Sequence, residues 1–219
     1  MTLPSLEQIT GPHRGIEVDF AGAELAGAKG ALLLVHGRDG SSREILGFAR
    51  HLDPEGWAFV APSASGREWF PGDFQSEIAE NEPWLGSALS ALRAILDELR
   101  KRGAPRLAIL GFSQGACLSL ELAARNPGLV EAVFGLSGAL IGPPEVMRSA
   151  PSLVYPLFVY LGSHEEDPYI PAQAVQESAA YFSRLGARTV LRMHPGPSHS
   201  VRPQDIAAVQ DFLASGGHA

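Results

Sequence analysis

Short apolar runs alternate along this chain with longer stretches whose apolar residues recur every three or four positions. Six runs of the first kind stand out: residues 31–35 (ALLLV), 57–61 (WAFVA), 106–112 (RLAILGF), 132–136 (AVFGL), 157–161 (LFVYL) and 189–193 (TVLRM). They lack strict polar alternation, which is the pattern of strands buried on both faces. Between them the 3.6-residue period predicts helices. One starts at Ser41 or Ser42 and runs to about 52, with serine as the cap. A second covers 83–102, where Leu85, Leu89, Leu92, Leu96 and Leu99 form one apolar stripe and Gly103 and Pro105 stop it. Others cover 113–125, 172–185 and 203–214. Strands alternating with helices predict an α/β fold with a mainly parallel sheet covered on both faces. The stretch 62–81, rich in Ser, Gly and aromatic residues, reads as a long loop of the kind that often carries function.

Length changes this picture little. The 219 residues, 45% hydrophobic and 19% charged, suit one core, so a single domain spanning 1–219 is expected, with 1–15 and 215–219 peripheral. Charge and cysteine content exclude more. A net charge of −7 with no basic run leaves no electrostatic footprint for nucleic acid or an anionic membrane, and points to a small-molecule substrate. Cys117 is the lone cysteine, so neither an intrachain disulfide nor a multi-cysteine metal site is available. No His/Asp/Glu cluster has metal-ligand spacing and no phosphate-binding glycine loop occurs, so no cofactor or metal is expected. The opening residues lack a signal-peptide pattern and the apolar runs are far too short to span a membrane, which makes a cytoplasmic protein without stable membrane insertion the expectation. A homodimer is compatible with the sequence, which marks no interface.

The chemistry concentrates at Gly111-Phe112-Ser113-Gln114-Gly115, between a predicted strand and a predicted helix. G-x-S-x-G in that setting is a nucleophile elbow: the turn is too sharp for side chains at the flanking positions, and the following helix aims its positive end at a developing oxyanion. A serine nucleophile needs a base, and the base needs an orienting carboxylate, in the chain order Ser, acid, His. Gly162-Ser163-His164-Glu165-Glu166-Asp167-Pro168 follows the fifth strand, and His194-Pro195-Gly196-Pro197-Ser198-His199-Ser200 the sixth. Asp167 and His199 fit the two roles. Glu165 and Glu166 are rivals for the acid, or a solvated acidic turn. His194 is the rival base but ends a strand, where packing or a polar surface suits it better. His164 is expected to be exposed, and His36 to serve as a structural hydrogen-bonding group. The loop Val35-His36-Gly37-Arg38-Asp39-Gly40 follows the first predicted strand, where this fold takes one oxyanion amide. The backbone N–H groups of Arg38 and Gln114 are therefore the expected oxyanion donors, with little role for their side chains. Cys117 reads as a small core residue. Trp69 and Phe70 line an acyl pocket or cap the core, and Glu77, Glu80 and Glu82 read as a solvated face.

With these residues in place, the sequence resembles the phospholipase/carboxylesterase family of α/β-hydrolases. The likeness rests on LLLVHGRDGS, REWF, ENEPWL, GFSQGACLSLELA, LSGAL, LGSHEEDPYIP and PGPSHSV, and extends over about 31–213. The resemblance implies Ser113 as nucleophile, Asp167 as acid, His199 as base, Arg38 and Gln114 at the oxyanion, Trp69 near the acyl site, and no large lid. Asp39 stands where many relatives have glycine, and Glu165 and Glu166 are extra acids. The implied activity is hydrolysis of short- to medium-chain carboxylic esters through an acyl-enzyme, with lysophospholipase or acyl thioesterase as alternatives. Two rivals remain. One is a non-catalytic ligand-binding homologue, against which the full Ser/Asp/His set speaks. The other is dienelactone hydrolysis, which in that relative uses a cysteine where Ser113 stands.

Overall fold

The computed structural model describes residues 4–52, 55–144, 146, 148 and 156–215. Seven strands form one sheet: β1 (Val18–Gly22), β2 (Gly30–Val35), β3 (Trp57–Pro62), β4 (Leu107–Phe112), β5 (Ala132–Leu136), β6 (Phe158–His164) and β7 (Arg188–His194). Their spatial order is β1-β3-β2-β4-β5-β6-β7, and every pairing is parallel except β1 with β3. This is the α/β-hydrolase arrangement. The six predicted runs correspond to β2 through β7. The antiparallel edge strand β1 escaped the pattern because VDFAG buries only its first residue and so has no apolar run to show.

The helices are α1 (Ser42–Ala49), α2 (Trp84–Lys101), α3 (Gln114–Arg125), α4 (Ala172–Arg184) and α5 (Pro203–Ala214). Ser41 caps α1, its side chain accepting the Glu44 amide. Alternation within the strands divides the core in two. In β2, Leu32 and Leu34 face α1 and α5 with Trp57 and Phe59, whereas Leu33 and Val35 face the side of α2, α3 and α4. Helix α3 is buried from Gln114 to Ala124, so the chain after the elbow is held along its length by core packing.

Of the two ends expected to be peripheral, residues 1–3 and 216–219 lie outside the described residues. The rest of the first stretch is partly in the core: Leu6 and His13 have no exposed surface. The loop 62–81 contains two short 3₁₀ turns, Ser65–Arg67 and Ile78–Asn81. It is tied down by hydrogen bonds: Asn81 Oδ1 accepts the Gly72 amide at 2.8 Å and Asn81 Nδ2 donates to the Asp73 carbonyl at 2.9 Å.

Candidate active site

The C-terminal ends of the parallel strands place β2, β4, β6 and β7 loops around one cavity of about 730 Å³, the usual position of ligand sites in open α/β sheets. Ser113 sits directly after β4 with φ 54° and ψ −122°, a strained conformation for a residue with a side chain. The flanking glycines are obligatory there. A Cβ on Gly111 would lie 2.1 Å from the Gly115 carbonyl oxygen, and one on Gly115 would lie 2.2 Å from that of Val35. The elbow is locked by the Ser113 N–H donating to the Leu136 carbonyl at 2.9 Å, and by the Ser113 carbonyl accepting the Ala116 and Cys117 amides.

His199 projects from the loop between β7 and α5. Its Nδ1–H donates to Asp167 Oδ2 at 2.8 Å, with Oδ1 at 3.0 Å, which leaves Nε2 for a nucleophile. The Asp167 side chain is fully buried and its Oδ1 also accepts the amides of Tyr169 and Ile170. Glu165 and Glu166, its rivals in sequence, are exposed. Ser113 and His199 line the same cavity without a hydrogen bond between them. In unliganded enzymes that contact is often long and tightens on substrate binding.

Arg38 and Gln114 line the same cavity, and neither amide meets a backbone acceptor among the described residues. Their side chains, expected to matter little, carry a structural task that spacing alone does not reveal. The Arg38 guanidinium bonds Glu68 Oε2 at 2.5 Å, and donates to the carbonyls of Phe70 at 3.0 Å and Gly72 at 2.9 Å. Gln114 Oε1 accepts the Trp69 amide at 2.8 Å while its Nε2 donates to the Phe70 carbonyl at 2.7 Å. The two oxyanion candidates thus strap the 68–72 segment over the cavity. Asp39 has φ 60°, a left-handed turn that glycine adopts freely and aspartate tolerates.

The two aromatic residues separate. Phe70 lines the cavity. Trp69 is fully buried away from it, its Nε1–H donating to the His36 carbonyl at 2.8 Å. His36 is neutral by its bonds: Nε2 accepts the Ala64 amide at 3.0 Å, so the proton sits on Nδ1 and is donated to the Gly37 carbonyl at 2.7 Å. Cys117 borders the cavity, and burial pushes its thiol up to about 12, so it is no thiolate nucleophile at neutral pH.

The expectation for His164 is overturned as well. His164 is not exposed: it ends β6 with 1% of its surface accessible, beside His194 with ring centroids 5.3 Å apart. His194 is also buried, and its Nε2–H donates to Asp205 Oδ1 at 2.8 Å. Asp205 Oδ1 accepts the Tyr160 hydroxyl as well, and Oδ2 the Arg202 amide. A second His–Asp pair therefore closes the loop that carries His199. Asp205 at the third position of a helix that starts with Pro203 was the signal for it.

A larger recess, about 1120 Å³, opens at the opposite edge of the sheet among Arg106, Leu107, Glu131, Phe158 and Arg188. It contains no nucleophile–base pair, so volume alone does not mark the chemistry. No helix among the described residues is long and apolar enough to cross a membrane.

A model of the phospholipase/carboxylesterase family matches residues 28–216. Acyl-protein thioesterase 1 of Gibberella zeae is 27% identical over 117 residues, covering 49% of this chain and 47% of its own length. The enzyme of the same name from Debaryomyces hansenii is 30% identical over 114 residues, covering 50% and 48%. The chain thus spans about half the length of these curated relatives. Among solved structures, a phospholipase/carboxylesterase from Dyadobacter fermentans superimposes with a TM-score of 0.86 at 28% identity, over 91% of this chain and 97% of the other.

Proposed function

Since the chain belongs to the phospholipase/carboxylesterase family, we propose that it is a serine hydrolase that cleaves short- to medium-chain carboxylic esters through an acyl-enzyme on Ser113. The observation that carries this reading is a strained serine between two glycines that admit no Cβ, sharing a cavity with an imidazole whose Nδ1 is held by a buried carboxylate.

His199 Nε2 takes the Ser113 hydroxyl proton as Oγ attacks the ester carbonyl carbon. The carbonyl π electrons move to oxygen, and the amides of Arg38 and Gln114 meet that oxyanion at the positive end of α3. Asp167 holds the tautomer with the proton on Nδ1 and stabilises the imidazolium. The tetrahedral intermediate collapses, the C–O bond to the alcohol breaks, and His199 returns the proton to the departing oxygen. Water, activated by the same imidazole, then attacks the acyl-enzyme and releases the acid. The cavity supports compact acyl groups: Phe70, Phe74, Phe112 and Ile170 crowd it, and no element among the described residues adds a covered acyl tunnel. A second reading, acyl thioester hydrolysis, is favoured by the relatives named acyl-protein thioesterase and uses the same steps with a thiolate leaving group.

The test is hydrolysis of p-nitrophenyl acetate, butyrate, octanoate and palmitate by wild type and Ser113→Ala, with octanoyl thioester alongside. Turnover strongest at acetate, butyrate or octanoate and abolished in Ser113→Ala is expected. A peak at palmitate or at the thioester would replace the short-ester reading. No turnover of any substrate, and no labelling by a fluorophosphonate, would sink the catalytic assignment.

A further inference from the structure

Tyr169 is 69% exposed, and it and Leu191 are the large hydrophobic side chains left so open among the described residues. Its place is unusual for an exposed ring. It lines the cavity with Ser113, and its ring centroid lies 5.0 Å from that of His199 at an interplanar angle of 74°. Phe112 packs on the same imidazole, also at 5.0 Å. The Tyr169 ring is aimed by its backbone. Pro168 precedes it, Pro171 closes the turn, Ile170 beside it is buried, and its own N–H donates to Asp167 Oδ1 at 2.9 Å. The hydroxyl makes no hydrogen bond among the described residues. The fold therefore fixes an aromatic surface in solvent beside the base, without using that surface in the core.

The mechanism says what meets it. His199 must return its proton to the leaving-group oxygen, so the alcohol's first atoms lie within hydrogen-bond reach of Nε2. A ring packed on that imidazole borders the leaving group. Its charge surroundings narrow the choice. The cation in the cavity lining, Arg38, is committed to Glu68 and to carbonyls of the 70–72 segment, while Asp39 and Asp73 line the cavity and Glu165 and Glu166 are exposed on the acid loop. Among the described residues that line the cavity no uncommitted cation faces a phosphate or carboxylate on the alcohol, and four carboxylates oppose one.

We propose that Tyr169 is a specificity residue that selects esters of neutral aromatic alcohols, by packing its exposed ring against the leaving group. This rests on the esterase reading above and adds to it the class of alcohol released.

The experiment compares kcat/KM for benzyl butyrate with that for cyclohexylmethyl butyrate, which share the acyl group and differ in the flat ring of the alcohol. Wild type is expected to prefer the benzyl ester. In Tyr169→Ala the benzyl-to-cyclohexylmethyl ratio should fall about 2- to 12-fold, the range of an aromatic pair, and Tyr169→Phe should keep it. Equal losses on both esters would make Tyr169 a support for His199 only and overturn the proposal. So would an unchanged ratio in Tyr169→Ala, or no benzyl preference in wild type that turns over p-nitrophenyl butyrate. If wild type hydrolyses no ester at all, the esterase reading fails and this proposal with it.

Discussion

At the scale of single residues, the site depends on atoms that are not there. Gly111 and Gly115 have no Cβ, and only that absence allows β4 to turn into α3 with Ser113 at φ 54°. Both glycines and the serine are legible in the sequence as one motif. The acid is implied as Asp167 by the family resemblance, whereas loop position alone leaves Glu165 and Glu166 as rivals, because that choice depends on which side chain is buried and faces the imidazole. Asp167 is fully buried against Nδ1 of His199, and the glutamates beside it are exposed. Asp167→Asn leaves the packing volume intact but offers an amide NH₂ where the imidazole N–H needs an acceptor, favouring the wrong tautomer. It should lower kcat on p-nitrophenyl butyrate by about 10³- to 10⁴-fold with near-UV circular dichroism unchanged. A loss under tenfold would move the acid role elsewhere on the loop.

At the scale of elements, the helices and every strand except β1 followed from periodicity, while the connections were decided by side chains far apart in sequence. The loop 62–81 reads as irregular, yet Gln114 and Arg38 bind its backbone as a neighbouring strand would. No local pattern announces this, since the partners are separated by tens of residues. The β7–α5 connection is similar. His194 at its start and Asp205 at its end form a buried pair, and Asp205 Oδ1 would meet a Cβ on Gly162 at 2.3 Å, so the β6 glycine makes room for the carboxylate. Breaking this closure by Asp205→Ala leaves the Tyr160 hydroxyl, His194 and the Arg202 amide without their acceptor. Destabilisation of about 2–4 kcal/mol in denaturant unfolding is expected. Because the loop carries His199, kcat should fall more than KM rises, and Asp205→Asn should recover part of both. A variant as stable and active as wild type would show that the pair holds nothing.

At the scale of the whole molecule, two further histidines couple stability to pH. His13 has no exposed surface, its Nε2–H donates to the Trp69 carbonyl and its Nδ1 accepts the Ser65 amide; His36 bridges Gly37 and Ala64. Burial lowers both below the ordinary histidine value; His36 also opposes His13, and around His36 Glu44 pulls up while Arg67 pulls down. Above about pH 6.5 both residues are neutral in either state, so stability is complete there. As pH falls below 6.5 the unfolded chain binds these protons first, and stability drops by up to about 1.4 kcal/mol per pH unit per histidine until the lowered folded values are passed. Urea unfolding between pH 5 and 8 should show this loss, with a shallower slope in His36→Gln; equal slopes would remove His36 from the account. The sequence by itself determined the alternating α/β order, the buried strands and the elbow, because apolar period and a glycine-flanked serine are local properties that burial and sterics read directly. Tertiary structure alone decided that Asp167 is buried against His199 while Glu165 and Glu166 are exposed, that His164 and His194 are buried, that Trp69 supports while Phe70 lines, and that Tyr169 stands open beside His199. Each of these depends on which atoms from distant segments meet, and a one-dimensional pattern does not hold that information.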